Sequence, residues 1–146
     1  MDIVSGPWDE TQITRFLTET AIPVRLATSG VQAPIVQSLW FLYDDDALWC
    51  CTRLDALLTK RLRRSPACGF EVAGDLPPYR GVRGTAVAEL HSADQAAVVL
   101  PRLIDRYLGD RDAPLATWLM SRIDDEVAIR IGSLRVTSYD FTSRMS

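Results

Sequence analysis

The stretch from Val127 to about Asp140 constrains the fold more than any other part of this chain. It reads as one long strand interrupted by Gly132-Ser133. A glycine inside a strand marks a bulge or bend, the device by which a sheet turns the corner of a barrel. Helical segments elsewhere fall between the strands without regular alternation, which favours an antiparallel barrel with helical decorations over a doubly wound parallel sheet.

Five more extended runs accompany it: Ile22 to Thr28, Pro34 to Tyr43, Ala47 to Thr52, Ala67 to Ala73 and Gly81 to Leu90. The first ends in Ser29-Gly30 and the second in Asp44-Asp45-Asp46, both turn signals, so the first three form an antiparallel meander. A helix is expected from about Pro7 to Thr20, capped by Ser5, with Ile13, Phe16 and Leu17 as its buried stripe. Leu54, Leu57, Leu58 and Leu62 carry helical spacing up to Arg64, where Ser65-Pro66 stops it. Ser92 to Gln95 has a capping-box pattern opening a helix to Leu108, which Pro101 should kink or split and Gly109 should end. A short helix follows from about Pro114 to Arg122. The expected fold is mostly β (α+β), a six-stranded antiparallel barrel with peripheral helices.

At 146 residues, one domain spanning 1-146 is expected, large enough for one real core. Sixteen Lys and Arg against nineteen Asp and Glu, a formal charge of −3, argue against a nucleic-acid binder held by phosphate neutralisation. No apolar run reaches membrane-spanning length and no leader pattern opens the chain, so the expectation is a cytoplasmic protein with no membrane partner. Cys50, Cys51 and Cys68 are an odd number, and the adjacent pair points to opposite faces of a strand, so a disulfide framework is not expected. With His91 as the single histidine, zinc-type ligand spacings cannot be assembled, and no metal is expected.

Catalytic words are scarce. There is no GxSxG elbow, no Walker loop and no GxGxxG after a strand, and no catalytic residue can be assigned. The main basic cluster is Arg53, Lys60, Arg61, Arg63 and Arg64 beside Thr52. It could neutralise a phosphate, but on composition alone a solvated helix face matched to the C-terminal dipole is the commoner reading. In Pro77 to Gly84 two glycines bracket Arg83, allowing a backbone to approach a flat ligand or merely satisfying local geometry. Trp40, Phe41, Trp49, Tyr107 and Trp118 offer stacking surfaces, but aromatics at such spacings are more often core.

Order and wording together carry a resemblance. Pro23-Val24-Arg25-Leu26-Ala27-Thr28, then Ser38 to Asp44, then Leu48-Trp49-Cys50-Cys51-Thr52 resemble the opening meander of the pyridoxamine 5'-phosphate oxidase-like, FMN-binding split-barrel superfamily. Leu62-Arg63-Arg64-Ser65-Pro66, Arg80-Gly81-Val82-Arg83-Gly84 and Arg106-Tyr107-Leu108-Gly109 extend the likeness over nearly the whole chain. Leu58 departs from the lysine many members carry, with Lys60 and Arg61 nearby to substitute, and Tyr139-Asp140-Phe141 stands where Trp-Asp-Phe is frequent.

The resemblance implies a homodimer with two cofactor clefts between subunits. The ring would lie against Gln37, Ser38, Leu39, Trp40, Cys51 and Thr52, and the phosphate would be held by Thr52, Arg53, Lys60 and Arg61. The implied activity is an oxidoreductase using FMN, or the deazaflavin coenzyme F-420, on a small organic substrate. The alternative is a flavin- or haem-binding carrier or sensor without turnover. His91 is expected to be structural.

Overall fold

The computed structural model describes residues 1–145. Its elements are β1 (Asp2–Ser5), α1 (Glu10–Glu19), β2 (Val24–Thr28), β3 (Ile35–Leu39), β4 (Leu42–Asp44), β5 (Ala47–Arg53), α2 (Leu57–Arg64), β6 (Ala67–Ala73), β7 (Arg80–His91), α3 (Ala93–Tyr107), α4 (Pro114–Met120), a 3-10 turn (Ile123–Asp125), β8 (Glu126–Asp140) and α5 (Thr142–Met145). The strands join one sheet in the order β3-β2-β6-β7-β8-β5-β4, and β1 adds to β8 off this path.

That order closes the sheet. β3 and β4 stand at its two ends, yet only Trp40 and Phe41 separate Leu39 from Leu42. Three peptide steps span at most about 11 Å, so the sheet must curl until its ends nearly meet. The run read as one strand from Pro34 to Tyr43 is therefore two, broken where the chain crosses from one end to the other. Phe41 gives its N–H to the Tyr107 hydroxyl at 3.2 Å rather than to a neighbouring strand. With β1, the sheet has eight strands, not six, and it is not wholly antiparallel, because β1 runs parallel to β8. The segment Asp2 to Ser5 is short and exposed along its length, and it lacks the apolar alternation that marks a strand in sequence.

The bend in β8 lies where the glycine placed it. Thr85 pairs with Arg135 and Val87 with Gly132, so Ser133 and Leu134 stand opposite Ala86 alone. Ser133 takes up the extra residue with φ +51°. Inside the curl, alternate residues of β2, β5, β6, β7 and β8 form the core, among them Leu26, Cys50, Phe70, Val82, Ile129, Ile131 and Val136. Ile13 and Leu17 of α1 and Leu58 and Leu62 of α2 join it, each contributing roughly 1.5–3 kcal/mol by leaving water.

Several helix ends differ from expectation. α1 is capped by Asp9 rather than Ser5, through reciprocal bonds with Gln12 of 2.8 and 2.9 Å. α2 begins at Leu57 because Leu54 turns away to bond its N–H to the Asp125 carbonyl at 2.8 Å. The Ser92 side chain makes no capping bond. α3 runs unbroken through Pro101, since Val99, Leu100, Leu103 and Ile104 are all buried on either side of it and anchor the helix where its ladder loses a bond. Gly109 ends it with φ +66°.

α3 covers only part of the outer sheet surface. Ala96, Val99 and Leu103 pack on Leu42 of β4 and Ala128 of β8. Across β3, β2, β6, β7 and the end of β8, the outward side chains Val36, Ser38, Arg83, Thr85, Val87 and Arg135 remain exposed.

Candidate functional site

The turn between β2 and β3 meets the basic face of α2. A Cβ on Gly30 would stand 2.2 Å from the Ala33 carbonyl oxygen and 3.2 Å from Arg61 Nη2, so the turn is tight and lies close against that guanidinium. Ser29, Gly30 and Val31 with Lys60, Arg61 and Arg64 surround a cavity of about 200 Å³. Arg61 also borders an adjoining hollow of about 300 Å³ reaching Ile35 at the start of β3. Arg61 Nη1 is buried and has no hydrogen-bond partner. A buried donor left unpaired costs about 1–3 kcal/mol, more when charged. Lys60 and Arg64, four positions apart on one helix face, repel each other. An anion seated between the turn and α2 relieves both penalties at once.

The other expected site residues lie apart from this cradle. Gln37, Ser38 and Leu39 lie on β3 opposite Leu26, Arg25 and Val24. Trp40 stacks on Tyr107 and, with Cys51, packs beneath α3 and α4. Thr52 pairs with Val127 in the sheet. Arg53 is forked onto Asp55 at 2.8 and 2.9 Å, and its carbonyl receives the Thr59 hydroxyl at 2.7 Å. The structure thus brings Lys60 and Arg61 together with the β2–β3 turn, while Thr52 and Arg53 border neither hollow. Sequence reasoning placed Arg64 in the basic cluster without carrying it into the phosphate site, and it missed the Ser29–Gly30–Val31 turn as the other wall of the cradle. The signal was Ser29-Gly30 itself, taken only as hairpin punctuation.

Burial holds all three thiols in the protonated form near neutral pH. Burial pushes Cys51 up to about 12 and Cys68 up to about 11, and drives Cys50 well above its ordinary value. His91 is half-buried, with its ring 5.2 Å from Trp49 and Nε2 3.6 Å from Glu89 Oε2, a carboxylate neighbour not foreseen. Among the described residues no three His, Cys, Asp or Glu side chains gather as metal ligands, and no helix is long and apolar enough to cross a membrane.

The exposed outer sheet face carries two hollows, of about 680 and about 530 Å³. Both border Ala27, Gly69 and Thr85, which lie in one cross-strand row, Ala27 opposite Gly69 and Gly69 opposite Thr85. They form one groove whose middle is floored by small residues.

No protein-family profile and no curated protein matches the sequence. Solved structures do match. The conserved hypothetical protein Rv2991 from Mycobacterium tuberculosis superposes with a TM-score of 0.80 at 24% identity, over 96% of this chain and 89% of that one. An F-420 reductase gives 0.68 at 24% identity, over 82% of this chain and 92% of its own. A protein from Listeria innocua assigned as a pyridoxamine 5'-phosphate oxidase gives 0.67 at 18% identity, over 88% and 96%. At these identities the likeness speaks for the fold. The chain accordingly has the split-barrel fold.

Proposed function

We propose that this protein is a flavin-type oxidoreductase that works as a homodimer, with the cofactor's phosphate in the cradle between the Ser29–Val31 turn and α2. The observation that carries this reading is the Arg61 guanidinium, whose Nη2 lies against the Gly30 turn and whose Nη1 is buried without a hydrogen-bond partner. Lys60 and Arg64 add charge, and the adjoining hollow leads from Arg61 along Ile35 toward β3. The isoalloxazine or deazaflavin ring then lies against the outer face of β3, which presents Val36 and Ser38, while Gln37 and Leu39 stand on the other face opposite Leu26 and Val24. FMN, or F-420 in its place, supplies the hydride chemistry, and the protein supplies binding, orientation and exclusion of water.

The uncovered face supports the dimer. Val36 and Val87 are 63% and 42% exposed on a five-strand surface, and a second copy laid on it removes that apolar area from water and walls the groove on its open side. Titration with FMN and with F-420, followed by fluorescence, tests the reading. Micromolar or tighter uptake of one of them is expected, and it weakens when Arg61 is replaced. Absence of uptake of both contradicts it.

A further inference from the structure

On the outer sheet face, one cross-strand row reads Ser38, Arg25, Glu71, Arg83, Thr137 across β3, β2, β6, β7 and β8. Most of its charges are already answered. Arg25 reaches Asp75 at 2.7 Å and the Ala73 carbonyl at 3.3 Å. Glu71 Oε1 accepts the Tyr139 hydroxyl at 3.0 Å. Arg135, in the neighbouring row, holds Asp2 at 3.2 Å. Arg83 stands directly opposite Glu71 in the sheet, yet among the described residues its guanidinium has no hydrogen-bond or ion-pair partner. It sits over the Tyr139 ring, 5.6 Å from the centroid, a placement that steadies the cation without consuming its donors. Tyr139 is in turn fixed through Glu71.

Beside this guanidinium the groove floor is cut away at Gly69. A Cβ there would meet only Ala27 Cβ and the Gly84 carbonyl oxygen, each at an ordinary 3.6 Å. The fold itself therefore has room for a side chain at this position, and a mid-strand glycine costs roughly 0.5–1 kcal/mol relative to alanine. The omission makes sense if something outside the chain lies close on the backbone there. A second copy of this chain does not answer Arg83 well, because the carboxylates of this face, Glu71, Asp75 and Asp2, are already engaged.

We propose that Arg83, steadied by Tyr139, is the specificity-determining residue of the substrate subsite, and that it selects a small planar substrate carrying an oxyanion that rests on the Gly69 floor. The proposal rests on the reading of this face as the cofactor and substrate cleft. A guanidinium with a free fork binds carboxylate or phosphate through two parallel bonds, and the groove of about 680 Å³ is of ordinary size for a small organic molecule.

Calorimetric titration of the full chain with benzoate, phenyl phosphate and neutral benzamide tests this. At least one of the two anions is expected to bind ten times or more tighter than benzamide, and whichever is preferred identifies the oxyanion. Arg83→Gln should abolish the preference and Gly69→Val should weaken all three probes alike, with FMN affinity kept in Arg83→Gln. Equal binding of anions and benzamide, or failure of all three probes to bind, overturns the proposal. So does an Arg83→Gln protein that becomes monomeric by light scattering, or one that loses FMN affinity in parallel, since Arg83 is then a subunit or cofactor contact. Anion preference in a protein that takes up no FMN or F-420 leaves the subsite standing and removes only the cofactor reading.

Discussion

Trp40 and Tyr107 lie face to face, their ring centroids 5.0 Å apart and their planes 3° from parallel. The same tyrosine receives the Phe41 N–H at 3.2 Å and donates to the Ile22 carbonyl at 3.1 Å. One residue at the end of α3 thus pins the crossing between the two ends of the sheet. Tyr107→Phe should cost about 1–3 kcal/mol, because it leaves the Phe41 amide unanswered while keeping the stack. Urea denaturation of the two proteins checks this. A change under a few tenths of a kcal/mol means that water replaces the hydroxyl.

Replacing Lys60 and Arg61 together by alanine should weaken FMN binding by about two orders of magnitude or more, since charge-assisted bonds contribute roughly 1.5–3 kcal/mol each. Arg53→Ala should have a smaller effect, because Arg53 is already forked onto Asp55. Equal losses in the two proteins, measured by fluorescence titration, place the phosphate nearer β5 than the cradle.

Sequence reasoning reached the barrel, the bulge and the basic helix because each has a local mark: strand periodicity, Gly132 inside a strand, and Lys60 to Arg64 in a row. It did not see that Pro34 to Tyr43 divides at Trp40, since both halves alternate equally well and the break is imposed by Tyr107, far away in sequence. Nor did it join Gly30 to Arg61. Those residues meet only because β2 pairs with β6, which brings the β2–β3 turn over α2. Arg53 and Arg61 look alike in sequence, and Asp55 alone distinguishes them by occupying the first.

The uncovered face makes the dimer testable without harming the fold. Val36→Asp and Val87→Asp alter side chains 63% and 42% exposed, so the protomer should still fold while the dimer weakens. Light scattering should give a dimer for the parent protein and a smaller mass for the double variant. Unchanged mass places the interface elsewhere.

Alkaline stability follows from the thiols. Burial raises Cys51 and Cys68 from 9.0 to about 12 and about 11, so above pH 9 the unfolded chain releases protons that the folded chain keeps. Stability should be level below about pH 9 and decline from there as pH rises toward 11 and 12. Thiols that stay protonated also resist alkylation, so iodoacetamide at pH 8 should label all three cysteines only on unfolding. A decline equally steep in a Cys51→Ser/Cys68→Ser protein assigns the effect to other groups.

The central claim is a flavin-type cofactor held at the α2 cradle, and the visible absorption spectrum of protein purified without added cofactor, compared with that of Arg61→Ala, tests it most directly. The account predicts a flavin or deazaflavin band in the parent protein, or its appearance on adding FMN or F-420, and its marked loss in folded Arg61→Ala. A haem spectrum, or a protein that stays colourless and takes up neither cofactor, would contradict it.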